Sequence, residues 1–437
     1  MRRRDLLLTA AAAFAAPPAF ADGAVPPLRQ AARQAFIYAS PMVEVAAVRG
    51  RLLALGEAGR FYGRAQLSTP ASRGVTTPNN DTLAAQAFID LSRGPARLTV
   101  PSLAGRYASL ALMDMFTNNF QVLSRRTLGP IHGGRFLLVG PHSRRRGAGV
   151  IRAPTTWVWA LVRVLVDGPA DLADAAGMLG GFRVEASPAG AFAGGAAWDA
   201  PWADYLTVAN RLLLENGELA FDEEVLGQIA PLMLPSPRFD PARFTGADAD
   251  AVAAGVADAR QFIRSPAPGA AAAGGWSYEA PRVGDFHQDY DARARVALGG
   301  LAALPVAEAM YLSAVSPTGG RRFDGDGPWK LSFPAGGTPP AGAFWSLTLY
   351  EAEPDGRFFL TANPIQRYSI GDRTQGLARD AGGALTIWIA RADPGPARRA
   401  NWLLAPAQGP FSLILRAYLP KPALINRSYV PPPVTAA

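Results

Sequence analysis

The hydrophobic spacing of this chain changes period twice, and that change limits the available folds more than any other feature. Between residues 61 and 167, β-rich runs (Arg97–Val100, Tyr107–Phe116, Phe120–Leu123, Arg135–Val139 and Thr156–Val166) alternate with Gly, Pro and Asn turns. Residues 168–320 read at helical spacing instead, over Trp202–Asn216, Glu223–Met233, Ala247–Arg264 and Asp289–Ser313, with Pro266–Gly275 as a linker. Strands return over 321–430, at Trp329–Phe333, Phe344–Tyr350, Ala384–Ala390 and Phe411–Leu419. Helical runs also fill 22–60, with Leu28, Ala31, Ala35 and Tyr38 in phase and a second run from Met42 to Leu53. The pattern predicts a multidomain α+β protein with an N-terminal β-sandwich, a helical middle domain and a C-terminal jelly-roll-like β-sandwich. A chain of 437 residues is long enough for two or three such cores.

The first 21 residues read as an address. Met1-Arg2-Arg3-Arg4-Asp5-Leu6-Leu7 leads into an apolar stretch ending at Phe20, and Ala19-Phe20-Ala21 offers small residues for cleavage before Asp22. Arg3-Arg4 with the following Asp5-Leu6-Leu7 resembles a twin-arginine export signal; an ordinary Sec leader with a basic start is the alternative. Pro17-Pro18 interrupts the run, which is too short to span a bilayer as a helix. The expectation is a periplasmic or secreted protein with no transmembrane anchor after cleavage.

Charge and missing residue types then exclude several chemistries. Without cysteine there are no disulfides, thiolate metal sites or cysteine nucleophiles. The net charge of +8 falls to +6 once the leader's three Arg and one Asp are removed. Lys330 and Lys421 are the only lysines, so the excess is arginine. With an export signal and no recognised binding motif, it does not point to nucleic acid. The three histidines, His132, His142 and His287, form no local ligand pair, and no metal is expected. Nucleophile elbow, phosphate loop and dinucleotide fingerprint are all missing, and no cofactor is named. Arg144-Arg145-Arg146 reads as a solvated loop, with an anion contact as its alternative.

Strand alternation shows where polar groups are carried inward. Arg106, Ala108, Leu110, Leu112, Asp114 and Phe116 share one face, and Trp157, Trp159, Leu161 and Arg163 share another. A charge on such a face needs a partner from another element.

Thr77-Pro78-Asn79-Asn80-Asp81-Thr82-Leu83 is more specific. With Gly105-Arg106-Tyr107, Asp114-Met115-Phe116-Thr117-Asn118-Asn119-Phe120 and Arg163-Val164-Leu165-Val166-Asp167-Gly168, it resembles the bacterial domain of unknown function 1254. Phe344-Trp345-Ser346-Leu347-Thr348-Leu349-Tyr350, Asn363-Pro364-Ile365, Arg367-Tyr368, Asn401-Trp402-Leu403 and Pro410-Phe411-Ser412-Leu413 resemble domain of unknown function 1214. The resemblance implies an exported protein combining the two domains, with the β–α–β architecture above and no assigned reaction. Relatives often carry Leu-Tyr-Ser where this chain has Leu83-Ala84-Ala85, so a role needing that tyrosine is in doubt.

Candidate chemistry gathers on the polar motifs. Asp81 and Asp114 are the candidate catalytic pair, because a desolvated carboxyl can hold a proton at neutral pH. Asn79, Asn80, Arg106, Tyr107, Asn118, Tyr290, Arg293 and Arg367 are the candidate ligand-binding residues. Tyr290 and Arg293 are three apart on a helix face, and Tyr311 is placed on the same helical segment. Self-capped turns are the competing account of both Asn/Asp loops. The reading is an enzyme binding and processing a small polar or anionic molecule. Its alternatives are a non-catalytic ligand-binding or envelope protein, and a structural homo-oligomer.

Overall fold

In the computed structural model, the described residues are 27–437 without 75, 104, 130–132, 266–272, 318–321, 326 and 355–356. The leader, His132 and most of the Pro266–Gly275 linker lie outside them.

The first element is one continuous helix, α1 (Pro27–Leu53), rather than two runs, and it passes straight through Pro41. Proline has no N–H for the carbonyl of Ile37. The Ser40 hydroxyl donates to that carbonyl instead, at 3.3 Å. Most positions from Ala31 onward are buried, as in a helix enclosed on all sides.

The N-terminal β-unit follows: β1 (Tyr62–Gly63), β2 (Thr82–Asp90), β3 (Ala96–Val100), β4 (Ala108–Met113), β5 (Asn119–Ser124), the short α2 (Arg125–Leu128), β6 (Gly134–Val139), β7 (Val150–Arg152), β8 (Trp157–Leu165), α3 (Leu172–Gly181) and β9 (Arg183–Glu185). They form a sheet ordered β1-β2-β8-β4-β5 and a second ordered β7-β6-β3-β9. Leu83, Leu110, Val162 and Val164 from the first meet Leu98 and Leu138 from the second in a shared core. Strand β2 runs on directly from the Asn/Asp motif.

Helices α4 (Trp202–Asn216), α5 (Glu223–Ile229), α6 (Ala247–Arg264) and α7 (Tyr290–Gly299) surround α1. Arg29 on α1 grips Asp258 on α6 through two hydrogen bonds of 2.7 and 2.9 Å. Gly255 lets these helices touch, since a Cβ there would stand 2.2 Å from the Arg29 carbonyl oxygen. The layer rests on one half of the outer face of the first sheet, sharing a core with Phe88, Met113, Trp157 and Trp159.

The expected helix over Asp289–Ser313 is a correction: α7 ends at Gly299, and the chain re-enters as a strand at Ala309. Gly299-Gly300 and Pro305 cannot carry the helix on, and Tyr311 therefore sits on a strand.

The C-terminal β-unit comprises β10 (Ser277–Tyr278), β11 (Ala309–Ala314), β12 (Trp329–Phe333), β13 (Ala341–Ala352), β14 (Phe358–Leu360), β15 (Ser369–Gly371), β16 (Leu385–Ala390), β17 (Trp402–Leu404), β18 (Phe411–Pro420) and β19 (Val434–Ala436). One sheet runs β10-β11-β18-β13-β14 with β15 also on β13; the other runs β17-β16-β12-β19. Leu347, Leu415, Ile387 and Leu331 lie in the core between them. The whole is multidomain α+β. Its two β-units meet on a seam where Phe344 stacks on Tyr418 at 4.2 Å and Tyr107 stands edge-on to both.

Candidate functional site

Alternation divides the C-terminal sheet into two faces, and both are buried. Along β13, Trp345, Leu347 and Leu349 enter the apolar core, while Ser346, Thr348 and Tyr350 point the other way and are at most 1% exposed. On β18, Leu413, Leu415 and Ala417 are matched by outward Arg416 and Tyr418. Register sets Ser346 beside Arg416 and Arg416 beside Tyr311. Glu279 follows Tyr278, the partner of Leu312, and so continues the row past Tyr311. A polar row, Glu279–Tyr311–Arg416–Ser346, therefore crosses the outer face.

The N-terminal sheet answers it with a second row. Ala84 and Ser109 both pair with Arg163, and Ser109 pairs with Ser124. Arg163 lies within electrostatic reach of Tyr107, Tyr311 and Tyr418. It donates through Nη2 to the Ala302 carbonyl at 2.7 Å, and its buried Nη1 has no partner. Across the gap the buried Oε2 of Glu279 is also unpartnered. Ala84 is exposed although it belongs to an interior strand, and Gln86, Arg163, Tyr311 and Glu279 are half-buried. Arg163 and Tyr311, half-buried and within electrostatic reach of each other, mark a water-accessible crevice at the seam.

The Thr77–Thr82 loop seals one end. Thr77, at φ +48°, offers its carbonyl to Arg416 Nη2 at 3.1 Å, and the Pro78 carbonyl accepts from the Tyr350 hydroxyl at 2.8 Å. Asn79 donates to the Tyr418 oxygen at 2.6 Å, and its own oxygen caps the amides of Asp81 and Thr82. Asp81, 4% exposed, accepts from Ser346 at 2.7 Å and from Arg373 at 3.3 Å. Arg373 also donates to the Val166 carbonyl at 2.7 Å. The loop is both self-capped and bonded to the other β-unit.

Charges on these walls are unequal. Burial pushes the Glu279 carboxyl well above the usual carboxylate range, with Arg416 opposing. Arg373 pairs with Asp81 and Asp372 and lies within electrostatic reach of Asp171, while Arg163 and Arg416 flank Tyr311.

Asp114 is elsewhere. Asp81 adjoins Val166 through a backbone hydrogen bond, whereas Met113, just before Asp114, pairs with Trp159. About seven residues of β8 lie between, roughly 23 Å at 3.3 Å each. The two carboxyls cannot act as one acid/base pair, and that expectation is corrected. Asp114 accepts from the amides of Phe116 and Asn118 and from the Asn118 side chain, each at 2.9 Å. Burial raises its carboxyl to about 6, opposed by the Asn118 bond and by Arg293. Arg293 is fully buried against the rings of Tyr38, Phe116 and Tyr290, with Nε and Nη1 unpartnered. Tyr38 and Tyr290 both donate to Asp222, at 2.6 and 2.9 Å. Asp114, Asn118, Tyr290 and Arg293 thus join the helical layer to the far end of the first sheet.

The other expected residues are dispersed. Asn80 donates to the Ser68 carbonyl at 2.6 Å. Arg106 is paired with Asp171 and donates to the Leu165 carbonyl at 2.8 Å. Tyr107 donates to Glu308 at 3.0 Å; that fully buried carboxylate also accepts from Ser124 and Arg126. Arg367 closes onto the carbonyls of Arg399, Ala400 and Trp402, a structural clasp away from the crevice. Of the ten candidates, Asn79, Asp81 and Tyr107 reach the seam. Sequence reasoning missed Glu279, Ser346, Tyr350, Arg373, Arg416 and Tyr418; for Ser346, Tyr350, Arg416 and Tyr418 the signal is a polar set in opposite phase to an apolar one on the same strands, whereas Glu279 and Arg373 lie just outside strands and carry no such signal. Among the described residues, no group of three or more His, Asp or Glu is arranged to hold a metal ion. No helix among them is long and apolar enough to cross a membrane.

Two double-sheet β-units closed on a polar seam, with a helical layer across one of them, define a two-lobed protein with an inter-lobe crevice. Family models match both lobes: Protein of unknown function (DUF1254) over residues 58–186 and Protein of unknown function (DUF1214) over residues 308–422. The chain belongs to the family combining these two domains. Among solved structures it is similar to the VPA0106 protein from Vibrio parahaemolyticus, at 22% identity and a TM-score of 0.71, over 94% of this chain and all of that one. That likeness shows a shared fold. A putative uncharacterized protein from Burkholderia cenocepacia matches at 14% identity and a TM-score of 0.45, over 94% of each chain. A comparison with curated proteins gives no match.

Proposed function

We propose that the protein binds a small anionic molecule in the crevice between its two β-units. The observation that supports this reading is the arginine-rich polar seam itself. Sheets that pack only for stability bury apolar faces, because a buried polar group without a partner costs free energy. Here Arg163 and Glu279 each keep an unpartnered atom on facing walls, and exposed Ala84 leaves room beside them. In this reading Arg163 and Arg416 hold the anionic group, and the Tyr311 hydroxyl donates to a second oxygen. Asp81 has both oxygens engaged, by Ser346 and Arg373, and acts as a positioning residue. Binding, rather than general-base chemistry, fits that arrangement. The basic and apolar leader supports an exported location, which cell fractionation would test.

The test is thermal unfolding against inorganic phosphate and short mono- and dicarboxylates, since a ligand of the folded state raises the midpoint by mass action. At least one probe should stabilise the wild type and have little effect on Arg163→Gln. If no probe acts, or the variant responds equally, the reading fails.

A further inference from the structure

A second groove lies along the C-terminal half of α1. It encloses about 490 Å³ between Glu44, Ala46, Ala47, Gly50 and Arg51 of the helix and the segment Gly195–Trp198. The wall can lie this close because Gly195 has no side chain: a Cβ there would stand 2.6 Å from the Ala47 nitrogen. Small residues keep the floor open, and a Cβ on Gly50 would meet nothing within 4 Å. The groove is therefore an open space bounded by two chain segments, with the Trp198 indole in its lining.

Its polar groups are unmatched. Glu44 is half-buried and no hydrogen bond satisfies its carboxylate; burial raises it, with only the more distant charge of Arg51 opposing. Behind it the hydroxyl of fully buried Tyr205 is also unpartnered, within electrostatic reach of both Glu44 and Arg260. The ring of Tyr205 is fixed by stacking on Phe36 at 4.3 Å, and Trp198 stands edge-on to Phe36. Arg51 is seven residues beyond Glu44, two helical turns, so it lies on the same face about 10 Å along the axis. A carboxylate lacking a donor, a guanidinium at the other end and an aromatic wall complement a molecule carrying both charges.

We propose that this groove is a second binding site that takes a small zwitterion of the amino-acid kind, its ammonium on Glu44 and its carboxylate toward Arg51. It is independent of the inter-lobe crevice. Titration calorimetry of the full chain against the free amino acids should find at least one with Kd below about 1 mM. Its N-acetyl and amide derivatives, each lacking one charge, should bind at least tenfold more weakly. Glu44→Gln should weaken binding about tenfold or more, and Gly50→Leu should abolish it by filling the space. Leucine also favours the helix over glycine, so the second variant should stay folded. Arg163→Gln should leave this binding unchanged. The proposal is overturned if no amino acid binds in that range, if the acetylated form binds as well, if both groove variants bind normally, or if Arg163→Gln removes binding.

Discussion

Replacing Arg293 by methionine should convert a pH-independent stretch of the stability curve into a falling one. The side chain is wholly buried among Tyr38, Phe116 and Tyr290, and its charge works at a distance on Asp114 and Asp222. Asp114 rises from 3.8 to about 6, chiefly through burial. At about 1.36 kcal/mol per pH unit, that corresponds to about 3 kcal/mol. Since the folded state holds this proton more tightly than the unfolded chain, the contribution is present at low pH and is lost between about 4 and 6. Above 6 it is level. Arg293 is one of the groups holding Asp114 down, so without it the carboxyl titrates higher still and the loss continues past 6. Removing the counter-charge of a buried carboxylate costs about 3–5 kcal/mol near neutral pH, and less where the carboxyl is already neutral. Urea unfolding at pH 5, 6, 7 and 8, followed by tryptophan fluorescence, would read this directly. The gap between wild type and Arg293→Met should widen by up to about 1.4 kcal/mol per pH unit above 6. Adding Asp114→Asn should shrink that widening, because the Asp114 carboxyl can no longer respond to the loss of Arg293. Parallel curves from pH 6 to 8 would refute the account.

Two further substitutions probe the seam. Tyr418→Phe deletes the acceptor for the Asn79 side chain and should cost about 1–3 kcal/mol, the penalty of a buried unpaired donor. Amide exchange at Asp81 and Thr82, which the same asparagine caps, should accelerate; unchanged protection there would count against the Asn79–Tyr418 bond as the anchor of this loop. Ala84→Phe should abolish the response to whichever anion stabilises the wild type while leaving the unfolding midpoint within a few degrees, since an aromatic suits a strand and meets open space. An unaltered anion response would show that the crevice does not pass over this residue.

The broad fold was legible because its periods are strong. Runs such as Trp345, Leu347 and Leu349 can only be one buried strand face, and their positions separated the β-units from the helical layer. Boundaries failed where local composition misleads. Asp289–Ser313 is rich in Ala and Leu and reads as one helix, but pairing with β18 over Ala309–Ala314 outweighs propensity. The candidate residues were identified as polar groups in the right neighbourhoods, yet their grouping was not. Asp81 and Asp114 are both buried carboxyls next to Asn-rich turns, and nothing local reveals that they flank opposite ends of β8.

The residues that were missed share one physical cause, and it bears on what the site is. Ser346, Thr348 and Tyr350 alternate with large apolar residues, which in a free sandwich would put them in water. Burying them requires the second β-unit, so their polarity cannot be understood from either unit alone. Once the units close, most of that polarity is satisfied across the seam: Ser346 by Asp81, Tyr350 by the Pro78 carbonyl, Tyr418 by Asn79, Arg416 by the Thr77 carbonyl. The Asn79–Asp81 motif is thus explained by its bonds to the other unit and needs no ligand. Arg163 Nη1 and Glu279 Oε2 are different, because closure leaves them facing one another's wall without a partner. If the seam served only to join the units, those two positions would gain from apolar replacement, and Arg163→Met should stabilise the protein. If the seam is a binding site, the same change should leave stability near its starting value while removing the response to anions. Measuring both quantities on this one variant separates the two accounts.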